Sequence, residues 1–299
     1  MTDNLRGILA ILASATAFVV NDALVKLATE ELPTGEIIVV RGIMATLILG
    51  FATTIAGAWR SPHILLRPAM AIRIASAAMA TVCIVAALRY LPLATSSAIL
   101  QVTPLMVTAG AAVLLKAPVG WRRWLASLAG FGGVLLIVKP GTETFVKEVW
   151  IALAALLFTS ARDLTTRFVD HDVPSLLVAF ASSFVITLAG LTLWPFETWV
   201  MPSTRAMTLL GGAAVCLYFA YYLGIVAMRI GEIAVVAPFR YSLVILALIL
   251  SYVVWGHLPD QVSMLGIAII CGAGIYLLHR ERVRARHTKA AAAAKEQTA

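Results

Sequence analysis

The sequence predicts an all-α integral membrane protein, ten transmembrane helices arranged as two inverted five-helix repeats. Three observations carry this. Of 299 residues, 61% are hydrophobic and only 13% are charged, with a mean hydropathy of +0.93; a soluble domain is about half apolar and about a quarter charged. Apolar runs long enough to cross about 30 Å of hydrocarbon recur ten times. Short polar signatures repeat about 141 residues apart. The composition excludes an ordinary soluble enzyme, and also a disordered chain, which needs the opposite balance.

The elements follow in order, each closed by turn or charge signals. Span one (7–27) stops at Glu30-Glu31-Leu32-Pro33, span two (35–58) at Arg60-Ser61-Pro62-His63, and span three (70–88) at Leu91-Pro92. Span four (93–115) ends before Pro118-Val119-Gly120, and span five (123–138) at Lys139-Pro140-Gly141. Span six (149–168) ends before Asp172-Val173-Pro174, and span seven (175–195) follows that proline. Span eight (206–228) stops at Arg229-Ile230-Gly231-Glu232, span nine (233–255) at His257-Leu258-Pro259-Asp260, and span ten (262–279) at the polar tail 281–299. The first run is too long for a signal peptide and is followed by no cleavage site, so it is expected to remain in the mature protein. The tail is expected to be solvated and partly disordered, with a lipid-surface role for its basic residues as the alternative.

The net charge of +8 tests this count. Alternate connections and both termini, with Arg73, Arg123 and Arg167 at span edges assigned to them, hold fifteen Lys/Arg; the other set holds four, and the remaining four (Lys26, Arg41, Arg162, Arg240) are read as in-span. The positive-inside rule then puts both termini in the cytoplasm. The basic balance marks a membrane face and implies no nucleic-acid partner. Cys83, Cys216 and Cys271 lack paired spacing or flanking His, so neither a disulfide framework nor a zinc site is expected.

A shift of 141 lays Asn21-Asp22-Ala23-Leu24-Val25-Lys26 over Arg162-Asp163-Leu164-Thr165-Thr166-Arg167 and Pro33 over Pro174; a shift of 140 lays Arg89 over Arg229. The repeats are placed at 1–140 and 141–280. Five spans is an odd number, so the second half inserts upside down. Two inverted repeats around a midplane site are a common construction of secondary transporters.

The chain resembles the EamA-type ten-helix carriers of the drug/metabolite transporter superfamily. The matching residues are Pro33 with Val40-Arg41-Gly42, Ala94 to Pro104, and Lys116-Ala117-Pro118-Val119-Gly120-Trp121 leading into Gly130-Phe131-Gly132-Gly133. Gly256-His257-Leu258-Pro259-Asp260-Gln261 leading into Gly266 and Gly274 completes them. The likeness covers about residues 7 to 279. Lys116-Ala117 and Gly256-His257 stand where the family commonly has Gly-Glu, so no role of that Glu carries over. The resemblance implies a multi-pass carrier of a bacterial inner membrane, similar to amino-acid exporters. It would move amino acids and related small metabolites by alternating access, as a monomer or homodimer without a cofactor. The alternative is an exporter or importer of another metabolite or drug, such as a nucleoside, an S-adenosylmethionine-like molecule or a quaternary amine.

Ionisable groups inside spans are costly and are functional candidates by default. Asp22 and Lys26 share a helix face at i,i+4, as do Asp163 and Arg167. Asp22, Lys26, Arg41 and Gln101 are expected at one depth; Arg162, Asp163, Arg240 and Tyr241 at the matching depth on the other side. They read as two polar gates around a central site, or as helix-end stabilisers with Lys26 and Arg167 snorkelling to the interface. Four in-span cations against two anions favour a carboxylate-bearing substrate over a cationic drug. Phe18, Met79, Cys83, Ser97, Phe158, Tyr218 and Tyr222 are cavity-lining candidates or plain helix packing. Pro104 and Pro238 are hinges or structural kinks. The Gly-rich stretches permit close helix contact. No H-E-x-x-H, nucleophile elbow or clustered ligand set points to an enzyme.

Overall fold

The computed structural model describes residues 3–59, 65, 67–114, 116, 120–140, 147–168, 173–230 and 236–297; within these, the side chains of Arg167, Ile225, Met228, Arg229, Ala237 and residues 280–297 are outside the description. The described residues are helical throughout, with no strand among them. In order they form α1 (Asp3–Ala28), α2 (Thr34–Ile55), α3 (Pro68–Tyr90), α4 (Leu93–Leu100), α5 (Thr103–Leu114), α6 (Trp121–Val138) and α7 (Val149–Thr165). There follow α8 (Ser175–Leu191), α9 (Thr204–Ile230), α10 (Ser242–Trp255) and α11 (Gln261–Gln297). With α4 and α5 taken as one span, nine stretches are long and apolar enough to cross a membrane. The 17-residue α7, continued by a 3-10 turn over Thr166–Phe168, is the tenth. The chain is a multi-pass membrane protein.

Prolines set several helix starts. Pro33, Pro92 and Pro174 are the N-caps of α2, α4 and α8, and Pro68 opens α3. Their fixed φ and missing donor suit the first turn, where N–H groups have no partner within the helix. Gly256, at φ +67°, ends α10 in the left-handed conformation, the usual glycine stop.

Two predicted spans are broken. Span four is divided at Gln101-Val102, just before Pro104, and span nine enters as a 3-10 turn over Ala237–Tyr241, containing Pro238, before α10. Each proline removes a donor and tightens the local backbone. Pro104 and Pro238 therefore lie at real discontinuities. The tail departs from expectation: α11 runs through it to Gln297 as one helix, in keeping with its Ala, Arg, Lys and Glu content, all good helix formers.

The helices pair in a regular way. α1 packs on α9 and α3 on α7; α2 packs on α8, α6 on α11 and α4 on α10; α3 also meets α8, α2 meets α9, α1 meets α10 and α5 meets α7. Replacing every span by the one five later returns this same set of pairings. Glycines mark the closest crossings. A Cβ on Gly133 would stand 2.7 Å from the Gly266 carbonyl oxygen, and one on Gly266 2.5 Å from that of Gly133. Gly35 and Gly190 meet in the same reciprocal way, at 2.9 and 3.0 Å. Only backbone fits at either crossing, the close approach small residues permit in membranes. Tyr241 lies against Gly274 so closely that a Cβ there would overlap its ring.

Candidate functional site

Asp22 lies six residues before the end of α1, about 9 Å at 1.5 Å per residue. Its Oδ1 accepts Asn21 Nδ2 at 2.8 Å, and Asn21 Oδ1 accepts Arg41 Nη1 from α2 at 3.3 Å. The buried Asn21 amide thus stands between a buried guanidinium and a half-buried carboxylate and bonds one atom of each. Arg41 is 9% exposed and Asn21 2%. Groups this deep persist only when hydrogen-bonded.

Lys26 does not pair with Asp22. Its Nζ donates to the carbonyls of Leu88 and Leu91 at 2.7 Å each, and lies 5.7 Å from the centroid of the Trp255 ring. It therefore caps the C-terminal end of α3, where carbonyls lack intrahelical donors and the dipole favours a cation. Arg89 Nη1 adds a bond to the Leu32 carbonyl at 3.2 Å. Beyond them, Arg205 bridges to Glu30 and Glu31, Ser203 donates to Glu31, and Glu36 accepts the Val200 backbone N–H. The Arg205 and Ser203 bonds hold the Glu31 carboxyl below the usual range. At this end of the bundle, α1 is tied to α3, and the connection after it to the connection before α9.

At the opposite end, Asp163 pairs with its neighbour, Arg162 Nε and Nη2 lying 2.9 and 2.8 Å from Oδ1. The Arg167 side chain lies outside the described residues, so the predicted i,i+4 pair is not described. A residue absent from the sequence expectation joins here. Arg73, assigned to a connection, lies within α3 and donates to Thr166 Oγ1 at 3.0 Å and Ser182 Oγ at 3.2 Å. Ser182 is the position a shift of 141 relates to Arg41.

Tyr221 of α9, 51% exposed, stands between the two clusters without a direct bond to either among the described residues. Its phenol lies within electrostatic range of Arg41, Arg73 and Arg162 alike, and Phe18 stands edge-on to its ring at 5.3 Å. Tyr218 and Tyr222, the predicted pair, stack on one another at 6.2 Å. The helix turn that aligns these two directs Tyr221 elsewhere, which i,i+4 spacing alone does not reveal.

The other candidates separate. Gln101, expected beside Asp22, sits at the break between α4 and α5, where its Nε2 donates to the Arg240 carbonyl at 3.1 Å. One residue of each predicted gate is thus joined to the other through the broken segments. The Arg240 side chain is exposed, and Tyr241 is buried against α11. Ser97 is buried and lines a small cavity with Asp22. Cys83 and Phe158 are half-buried, and Met79 is 45% exposed.

The cation tally also changes. Lys26 is bonded to carbonyls and the Arg240 side chain faces outward, while Arg73 enters. Three guanidinium groups (Arg41, Arg73, Arg162) then stand with two carboxylates (Asp22, Asp163), leaving one positive charge in excess. Such an arrangement can receive one anionic group, through the planar fork that suits guanidinium to carboxylate.

Residues 5–139 match the EamA-like transporter family. The chain is 26% identical over 192 residues to an S-adenosylmethionine uptake transporter of Rickettsia prowazekii, covering 64% of this chain and 65% of that one. It is 27% identical to a riboflavin transporter of Vibrio cholerae, over 64% of each. These matches span just under two thirds of the relatives' length. A pseudopaline exporter of Pseudomonas aeruginosa is 26% identical over 90% of this chain and 94% of its own. A crystal structure at 20% identity superposes with a TM-score of 0.63 over 92% of this chain and 98% of that chain, a likeness of fold.

Proposed function

We propose that this chain, an EamA-type member of the drug/metabolite transporter superfamily, exports amino acids and related carboxylate-bearing metabolites from the cytoplasm by alternating access. It works from the inner membrane of a bacterium, with both termini cytoplasmic and the Lys26 end outside. The observation that carries this reading is the convergence of Arg41, Arg73 and Arg162 on Tyr221, with one guanidinium charge in excess of the two carboxylates. A carboxylate entering there gains charge-assisted bonds; a quaternary amine meets net repulsion.

The halves 1–140 and 141–280 act as inverted repeats. The invariance of the helix pairings under exchange with the span five later supports this, as does the end of the family match at residue 139, next to the end of α6. The bonds from Lys26 and Arg89 close the outer end, and the Asp163 cluster closes the inner end in the alternate state. Gln101 and the breaks beside Pro104 and Pro238 serve as the hinge.

Counterflow in proteoliposomes tests the reading, with amino acids, nucleosides and quaternary amines offered in turn, with and without a pH gradient. Saturable counterflow of amino acids is expected. Acceleration by quaternary amines alone would replace the substrate class.

A further inference from the structure

Asp22 is hydrogen-bonded on one side only. Among the described residues, Asn21 is the sole donor to its carboxylate. Asp22 also lines a cavity of about 10 Å³, walled by Ile84 and Leu88 of α3, Ser96 and Ser97 of α4, and Ala152 of α7. Ser96 is 4% exposed, and its Oγ is buried without a hydrogen-bond partner among the described residues. Neither nearby cation donates a hydrogen bond to Asp22: Lys26 bonds the Leu88 and Leu91 carbonyls, and Arg41, within electrostatic range of the carboxylate, donates to the Asn21 oxygen. A half-buried carboxylate with a single donor and a buried unmatched hydroxyl, facing one space, form an acceptor set with room for a further donor. The space admits one water-sized group.

We infer that this cavity is the subsite for the primary ammonium group of a zwitterionic amino acid. This rests on the proposed function, which places the substrate carboxylate at the arginine cluster. Asn21 links the two subsites directly, since its amide bonds both Arg41 and Asp22. A primary ammonium brings three N–H donors and no acceptor, which answers Asp22 and Ser96 together and leaves a third donor towards Ser97. A trimethylated nitrogen offers no donor and exceeds the space. A carboxylate without an amine leaves Asp22 and Ser96 as they stand. The subsite therefore selects α-amino acids over their betaine and desamino counterparts, and does so by composition of the pocket rather than by the arginines.

The test uses the full chain in proteoliposomes. The proteinogenic L-amino acids are screened by counterflow, and the one giving the largest signal is compared with its N,N,N-trimethyl and desamino analogues. Wild type is expected to prefer the amino acid over each analogue by about tenfold to a hundredfold, the range for a hydrogen bond to a charged group. Asp22→Asn is expected to bring the ratio of amino acid to desamino analogue towards one. Ser96→Ala, a smaller change, lowers the same ratio several-fold and decides the matter should Asp22→Asn prove inactive or polydisperse on size exclusion. Equal transport of all three compounds by wild type, or an unaltered ratio in Ser96→Ala, overturns the subsite while leaving the carboxylate reading intact. Counterflow by no carboxylate at all would instead remove the reading on which it rests.

Discussion

Replacing Lys26 by Met removes the contact that joins α1 to the end of α3. Met keeps most of the apolar stem, so the loss is that of two ammonium-to-carbonyl bonds, each 2.7 Å long. A hydrogen bond to a charged group contributes about 1.5–3 kcal/mol; at the lower figure two give about 3 kcal/mol. If these bonds exist only when this end is closed, that whole difference moves the equilibrium between closed and open forms, about a hundredfold at 1.4 kcal/mol per decade. The assay is alkylation of a cysteine placed at Ser97, which is buried beside Asp22, with Cys83, Cys216 and Cys271 replaced. A membrane-impermeant maleimide is added from outside. Labelling is expected to be about a hundredfold faster with Lys26→Met than with Lys26, and to stay slow with Lys26→Arg. Equal labelling rates with Lys26 and with Lys26→Met would refute a gating role and leave Lys26 as a helix cap only.

Two further expectations concern stability. Gly133→Val drives a side chain into the Gly266 carbonyl and Ile270, which a Cβ alone would meet at 2.7 and 2.8 Å; overpacking of this kind costs about 1–3 kcal/mol. A lower melting temperature in detergent is expected, whereas Gly132→Ala, with nothing within 4 Å of its Cβ, should melt as wild type does; equal melting of all three proteins would disprove the tight crossing. Just beyond the C-terminal end of α6, Lys139 bridges to Asp260 at 2.6 Å and holds its carboxyl down at about 2, with help from Ser263 and the Val262 N–H. A depressed carboxyl pKa contributes stability above its unfolded value of 3.8 and loses it as pH falls through about 2. The melting temperature of wild type should therefore fall more steeply between about pH 4 and 2 than that of Lys139→Met; parallel curves would show that the bridge does not contribute.

Much of the architecture was legible because hydrocarbon leaves few options: every span must be apolar and helical. The spans and the proline starts follow from local composition, as does the capacity of the Gly-rich runs for close contact, whereas the pairing of Gly133 with Gly266 is visible only in the fold. The site was only partly legible. Assigning charges near span edges to connections hid Arg73, which enters α3 and joins Arg162. A four-residue spacing suggests Asp22–Lys26, yet the Lys26 ammonium reaches across to the unpaired carbonyls at the end of α3. Tyr221 was passed over for Tyr218 and Tyr222 because periodicity identifies a shared face without saying which face meets the arginines. Gln101 was placed at the wrong depth, since the break beside Pro104 alters the register that regular helix geometry assumes. Each miss turns on a contact between distant segments, such as α3 with α7 or α4 with the turn before α10, and no local pattern encodes these.

The proposed carboxylate site is formed by Arg41, Arg73 and Arg162. Arg73 tests it most directly, because Gln in its place keeps a donor for Thr166 and Ser182 while removing the charge. The measurement is the KM for amino-acid counterflow in proteoliposomes of wild type and Arg73→Gln. The account predicts a KM raised about tenfold to a hundredfold, the range for a lost charged contact, with uptake of a quaternary amine unchanged or increased. An unaltered KM for the amino acid, in a variant that is folded and active, would contradict it.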